Sequence, residues 1–282
     1  MKRNVFLAVF LTSNLFLVAY AEDVATTIQR LKDKNTRDSA FEEIKKMDKT
    51  EISGELRKLA KDKNSQQAHR TVSIVLLGQI KDYDSEKDIV EILNTEDNYI
   101  MKNACLISLG HMGKKDLIPL IKSHLNDEPK TVSLRSAWAL AKLGDFSGKG
   151  IAINTLLQDT IVTHKAIASE VIEQIGDKSI IDELKTFKNN SNDWTQIYIN
   201  LTIAKLQISG LSKEEQINIL KNTISDNQFE IRKWAADKLD EIGTPEAMKT
   251  LEDIAKDRDN KGSYVAGKIL FNKEQKEKQK IK

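Results

Sequence analysis

The residues of this chain that could carry chemistry are four histidines, one cysteine and a large number of carboxylates. A zinc-type centre needs several nitrogen, sulfur or oxygen donors converging on one point. His69, His111, His124 and His164 are scattered, and none stands three or four residues from another histidine, a cysteine or a carboxylate pair in a recognised metal-ligand arrangement. There is no His-Glu-x-x-His, no Gly-x-Ser-x-Gly, no phosphate loop and no dinucleotide glycine fingerprint. Cys105 sits between Ala104 and Leu106 in an apolar stretch, where a buried small hydrophobe is expected rather than a nucleophile. As the single cysteine it also precludes an intramolecular disulfide. Adjacent acidic residues such as Glu42-Glu43 and Glu214-Glu215 diverge on a helix instead of converging on a substrate. The expectation is a non-enzymatic chain with no metal and no cofactor.

What the sequence does contain is a repeat. The segment "SLRSAWALAKLGDFS", Ser133 to Ser147, is a short helical pattern of small residues among larger ones, closed by Leu143-Gly144-Asp145. Taking Leu143 as the anchor, equivalent apolar residues are Met47, Ile80, Met112, Leu143, Ile175, Ile208 and Ile242, at gaps of 33, 32, 31, 32, 33 and 34 residues. A near-constant period in this range means stacked supersecondary units. Three residues before each anchor lie Ile44, Leu77, Leu109, Leu140, Ile172, Lys205 and Leu239. Seven before lie Ala40, Ser73, Cys105, Ser136, Ala168, Leu201 and Ala235, mostly small. These spacings share one helix face, so the large residue fills a core and the small one admits a neighbouring helix. The sixth unit fits worst, because Lys205 falls in a core column, and a register moved to Leu206 with Ile203 repairs it.

Glycine follows the anchor at 113, 144, 176 and 243, the position where a helix ends in the left-handed conformation. Each period also holds an earlier amphipathic helix, as in "DLIPLIKSHL" from Asp116. Ser212 with Glu215 has capping-box spacing, and Thr244-Pro245 offers an N-cap followed by proline. Ten residues before the anchors a mostly basic column runs Arg70, Lys102, Ser133, Lys165, Tyr198, Arg232. Six residues earlier an acidic or amide column runs Asn64, Glu96, Asp127, Asp159, Asn192, Asp226. Such a ladder can cap free backbone groups and bond between stacked copies, fixing register more than adding stability.

At this point the chain resembles the HEAT-repeat family, in the short bacterial form also found in phycobilisome-lyase-like proteins. The residues that carry the resemblance are "NDEPKTVSLRSAWALAKLGD" (Asn126 to Asp145), "THKAIASEVIEQIGDKSIIDEL" (Thr163 to Leu184) and "DNQFEIRKWAADKLDEIGTPEA" (Asp226 to Ala247). It implies an all-α fold, a right-handed α-solenoid of about eight stacked helix–turn–helix repeats over residues 22–272, with second helices lining a concave surface that holds other macromolecules. It also leaves open a lyase-like enzyme or enzyme subunit, and a structural envelope component.

Residues 1–21 read as a cleaved signal peptide: Lys2 and Arg3, an interrupted apolar run from Val5 to Val18, and a small-x-small site at Ala19 and Ala21. The chain is therefore expected to be exported, periplasmic or extracellular, without stable membrane insertion after cleavage. The whole chain has 44 Lys+Arg against 42 Asp+Glu, and Lys2 and Arg3 leave with the signal, so the remainder is neutral. A nucleic-acid partner needs a basic excess that this balance does not supply. Only the C-terminal "NKEQKEKQKIK" is a basic run, with 273–282 read as a tail.

Opposite the core, five residues before each anchor, stand Glu42, Val75, Ile107, Trp138, Glu170, Ile203 and Asp237. The ends of this column are acidic and its middle is largely apolar. Val75, Ile107, Trp138 and Ile203 are the candidate contacts for a protein or peptide partner, with Gln79, His111 and Lys142 as a polar rim. The competing reading is that neighbouring repeats cover the apolar ones. A ridge clear of the core further implies that truncating Trp138 leaves stability nearly unchanged. Composition does not fix the oligomeric state.

Overall fold

The computed structural model describes residues 26–31, 33, 36–44, 46–187 and 193–280. Residues 1–21, including Ala19 and Ala21, lie outside them. Among the described residues every regular element is helical. The helices are α1 (26–31), α2 (Arg37–Ile44), α3 (Lys49–Lys61), α4 (Gln67–Gln79), α5 (Glu86–Thr95), α6 (Tyr99–Met112), α7 (Ile118–Ser123) and α8 (Lys130–Lys142). There follow α9 (Lys149–Gln158), α10 (Val162–Ile175), α11 (Ile180–Thr186), α12 (Asp193–Ile208), α13 (Lys213–Thr223), α14 (Phe229–Ile242), α15 (Pro245–Lys256) and α16 (Ser263–Lys280). They alternate as first and second helices of successive pairs, the all-α repeat architecture that the 31–34-residue period calls for. No described helix is long and apolar enough to cross a membrane.

The chain divides into two compact units, Met1–Gly148 and Lys149–Lys282. In the first, α4 packs on α6 and α6 on α8, while α3, α5 and α7 each pack on the second helix of their own pair. In the second, α10, α12, α14 and α16 pack in succession, each with its first helix α9, α11, α13 or α15. The periodic columns are the core. Ile44, Leu77, Leu109, Leu140, Ile172 and Leu239 are buried, and so are Ala40, Ser73, Cys105, Ser136, Ala168 and Ala235. Burial pushes the Cys105 thiol up to about 12, which removes it as a nucleophile near neutral pH.

In α12 the expected register is corrected. Leu201 and Lys205 are only partly buried, and Thr202 and Leu206 take the small and large core positions. Lys205 instead pairs with Glu173 of α10 at 2.7 Å. The left-handed residue is Gly210, one later than the period places it. The physical reason is that a core slot cannot take an unpaired ammonium, so α12 turns to present its apolar neighbours.

Successive second helices run parallel and close. Gln67 bonds Asn98 at 2.9 Å, Thr71 reaches Met101, and Gly78 meets Ser108, always about one repeat apart. A Cβ at Gly78 would fall 2.4 Å from the Cα of Ser108. At Gly110 it would fall 3.0 Å from the Cα of Ala139. Glycine in these helices is thus a spacing device, a signal that the sequence carried and the column reading passed over.

Each second helix of α4 to α14 ends in a left-handed residue: Lys81, Gly113, Gly144, Gly176, Gly210 and Gly243. The first two complete links of Gly-Asp-x-Ser type follow this turn with an aspartate that accepts the backbone N–H of the serine two residues on. Asp145 does so from Ser147 at 2.8 Å and Asp177 from Ser179 at 2.9 Å. The polar ladder closes the other edge. Arg70 donates to the Ala60 carbonyl at the end of α3 and to Glu96 of the next repeat at 2.7 Å. Lys165, almost wholly buried, donates to the Leu156 carbonyl of α9, and burial holds its pKa below the usual lysine value. Arg232 donates to the carbonyls of Asp226 and Asn227. Arg70 and Lys165 thus satisfy carbonyls that a helix C-terminus leaves free, and Arg232 satisfies those of the turn before its own helix. The capping box at Ser212 and the Thr244–Pro245 start are both present. Helix α16 carries the basic segment on to Lys280, with Lys273 paired to Asp240.

Gly78→Ala should destabilise by about 1–3 kcal/mol, because backbone cannot move aside for the methyl. Gly54→Ala, in α3 with nothing within 4 Å of the added atom, should stabilise by roughly 0.5–1 kcal/mol from helix propensity alone. Denaturant unfolding of the pair checks this, and equal signs would contradict the close approach.

Acid titration offers a second check. The Ser147 hydroxyl and N–H hold the Asp145 carboxyl below its ordinary range, and Lys149 with Ser179 holds Asp177 well below it. A depressed carboxylate contributes stability that is present above its unfolded value and lost as pH falls through the folded one. The unfolding midpoint should therefore drop below about pH 4, and Asp177→Asn should flatten that drop.

Candidate binding face

The candidate contacts of the first unit come from equivalent points of three adjoining helices: Val75 on α4, Ile107 on α6 and Trp138 on α8. All three are partly exposed, whereas the core columns three and seven residues before each anchor are buried on the same helices. A helix turns about 100° per residue, so the fifth residue before the anchor points well away from the core. The period thus sets three apolar side chains side by side at the surface of one unit.

Trp138 is not clear of the packing. Its ring reaches across to α6, where its Cζ3 would lie 3.1 Å from a Cβ at Gly110. His111 meets it edge to face, with ring centroids 5.2 Å apart and planes at 67°. Lys142, one turn on along α8, places its Nζ 5.5 Å from the ring centroid, a cation–π contact. The absent side chain at Gly110 creates the seat that the indole fills. The rim residues His111 and Lys142 are therefore partners of the tryptophan rather than a separate border.

Gln79 lies at the C-terminal end of α4, where it lines a concavity of about 480 Å³ with Lys49, Ile80 and His111. Its Oε1 is buried without a hydrogen-bond partner. Six of the seven candidates, Val75, Ile107, Trp138, Gln79, His111 and Lys142, belong to the first unit. Ile203 belongs to the second. There it is partly exposed and lines a hollow of about 320 Å³ with Asn200, Gln207 and Ile231.

The other histidines have local partners. Nδ1 of His124 lies 2.7 Å from Asp127, and Nδ1 of His164 lies 3.0 Å from Asp159. His69 is buried. Among the described residues no three of His, Cys, Asp and Glu come together as metal ligands.

A family model described as HEAT repeats matches residues 63–141, from the turn after α3 into α8. No curated protein matches the chain. Among solved structures the chain is similar to human deoxyhypusine hydroxylase in complex with glycerol, at 14% identity and a TM-score of 0.41, covering 92% of this chain and 98% of that one. It is also similar to the complex of CpcE and CpcF of phycocyanin lyase from Nostoc sp., at 17% identity and a TM-score of 0.47, covering 78% and 87% respectively. At these values neither likeness bears on activity.

Because Trp138 is seated on α6, the expectation that its truncation leaves stability untouched gives way. A fully buried tryptophan truncated to alanine costs about 3–5 kcal/mol, and a half-exposed one should cost about 1–2 kcal/mol. Trp138→Phe should recover most of that loss. Thermal or denaturant unfolding of both variants measures it, and an unchanged midpoint for Trp138→Ala would mean the indole is not packed on Gly110.

Proposed function

We propose that the chain is an exported, non-enzymatic HEAT-repeat scaffold that holds a protein or peptide partner on the second-helix face of its first unit. The observation that supports this most is the row Val75, Ile107 and Trp138, partly exposed on three adjoining helices. Single exposed apolar residues are ordinary, while contiguous ones mark interaction sites. Tryptophan is over-represented among the residues that dominate binding energy. The indole here is held in one orientation by Gly110, His111 and Lys142, so little freedom is lost when a partner covers it. Export rests on the signal pattern of residues 1–21.

Two measurements test the two halves of this reading. N-terminal sequencing of the protein from its native host should find Glu22 first, and an intact Met1 on a membrane-bound product would sink the export half. For binding, the full chain, its Ile107→Asp variant and a first-helix control, Lys87→Ala, are used side by side to capture partners from an envelope extract. The same partner should be retained by the wild type and the control and be lost, by about 2 kcal/mol or more, from the ridge variant. Equal retention by all three would remove the ridge as the binding face.

A further inference from the structure

Charge is segregated between helices within the first unit. Three of its second helices, α4 "QAHRTVSIVLLGQ", α6 "YIMKNACLISLGHM" and α8 "KTVSLRSAWALAK", contain no aspartate or glutamate. They contain Arg70, Lys102, Lys130, Arg135 and Lys142. The acids of the unit stand elsewhere: on α2, as Asp38, Glu42 and Glu43, on the first helices, as Glu55 of α3 and Glu86, Asp88 and Glu91 of α5, and in the turns. Arg70 and Lys102 point to that turn edge, toward Glu96 at 2.7 Å and Asp127 at 4.0 Å. Lys142 is exposed, reaches Trp138 and makes no ion pair among the described residues. The second helices of the other unit are built differently, with Glu170 and Glu173 on α10 and Glu230 and Asp237 on α14. A chain that is neutral beyond residue 21 has thus kept carboxylates off the three helices α4, α6 and α8 that carry its apolar row, with the acids of α2 at the end of the column.

We infer that this face selects an acidic polypeptide: a segment whose apolar side chains cover Val75, Ile107 and Trp138 and whose flanking carboxylates meet Lys142 of α8. The inference rests on the proposed binding face and adds the chemistry of its partner. Complementary charge raises encounter rates and rejects partners of the wrong sign. A basic segment laid across α4, α6 and α8 would find no carboxylate on those helices to receive it. Polypeptide is favoured over an anionic lipid surface by Gln79. Its side chain lines a hollow that a narrow main chain can enter and a flat lipid surface cannot. The concavity of about 480 Å³ beside it, lined also by Lys49 and His111, admits main chain.

The test is a selection with random peptides of about 16 residues displayed against the full chain, long enough to cross three helices about 10 Å apart. The best peptide is then made with a fluorescent label and its affinity measured by anisotropy. Selected sequences should carry an acidic excess around apolar residues. Lys142→Glu should weaken the best peptide about tenfold or more, Lys142→Gln less, and Lys87→Glu on α5 should not matter. Raising salt from about 20 mM to about 500 mM should weaken binding to a similar degree. Selection of neutral or basic peptides indifferent to Lys142→Glu would overturn the acidic inference while leaving a peptide-binding face in place. Vesicles of phosphatidylglycerol form a parallel arm. Their capture by the wild type but not by Lys142→Glu, with no peptide enriched, would assign the face to a membrane surface and overturn it. Enrichment of nothing in either arm would remove both the inference and the reading beneath it.

Discussion

The close parallel approach of successive second helices is the constraint on which the rest depends. Where Gly78 meets Ser108 and Gly110 meets Ala139, backbone lies against backbone with no room for a methyl group. That contact sets how near α4, α6 and α8 stand, and with it how near Val75, Ile107 and Trp138 stand to one another. It also explains why the core columns alternate small and large. A small residue seven before the anchor lets the helices close, and a large one three before it fills the space that remains. Trp138 shows the coupling most directly: the same missing side chain at Gly110 that lets α8 approach also leaves the seat for its indole.

A polar counterpart holds neighbouring repeats within each unit in register. At the start of their second helices Lys165 and Arg70 reach back to carbonyls of their own first helix, and Arg70 also forward to the next repeat. Their contribution is specificity of stacking more than net stability, since a partly exposed ion pair stabilises by about 0–1 kcal/mol. Buried carbonyls without donors would cost more. The ladder is best understood as the removal of a penalty at one edge, matched at the opposite edge by left-handed residues and aspartate-capped links.

Much of this was legible in the sequence because repetition makes each position visible several times. The helix pairs, core columns, glycine ends, capping box at Ser212 and buried Cys105 all follow from a column of like residues or from a local motif. The sixth repeat was less legible because a period records spacing, while burial depends on how a helix rotates about its axis. Thr202 and Leu206 replace Leu201 and Lys205 without any change in the count of residues that a scan would notice. The seat of Trp138 was hidden for a different reason. It depends on Gly110, a residue of another helix whose meaning is a side chain that is not there. The charge of the second-helix face was present in the composition of three segments but averaged away in the neutrality of the chain.

The ladder has a consequence for how the chain comes to be folded. The side-chain bonds between repeats join residues no more than 35 apart, Ser225 to Asn260 being the longest of those described. No repeat waits for a distant part of the sequence. Topologies dominated by near contacts fold quickly, and stacked repeats can nucleate at any point and propagate to their neighbours. A chain assembled this way can acquire structure in the order in which it emerges, one helix pair at a time, with each finished pair offering the next a surface to settle on.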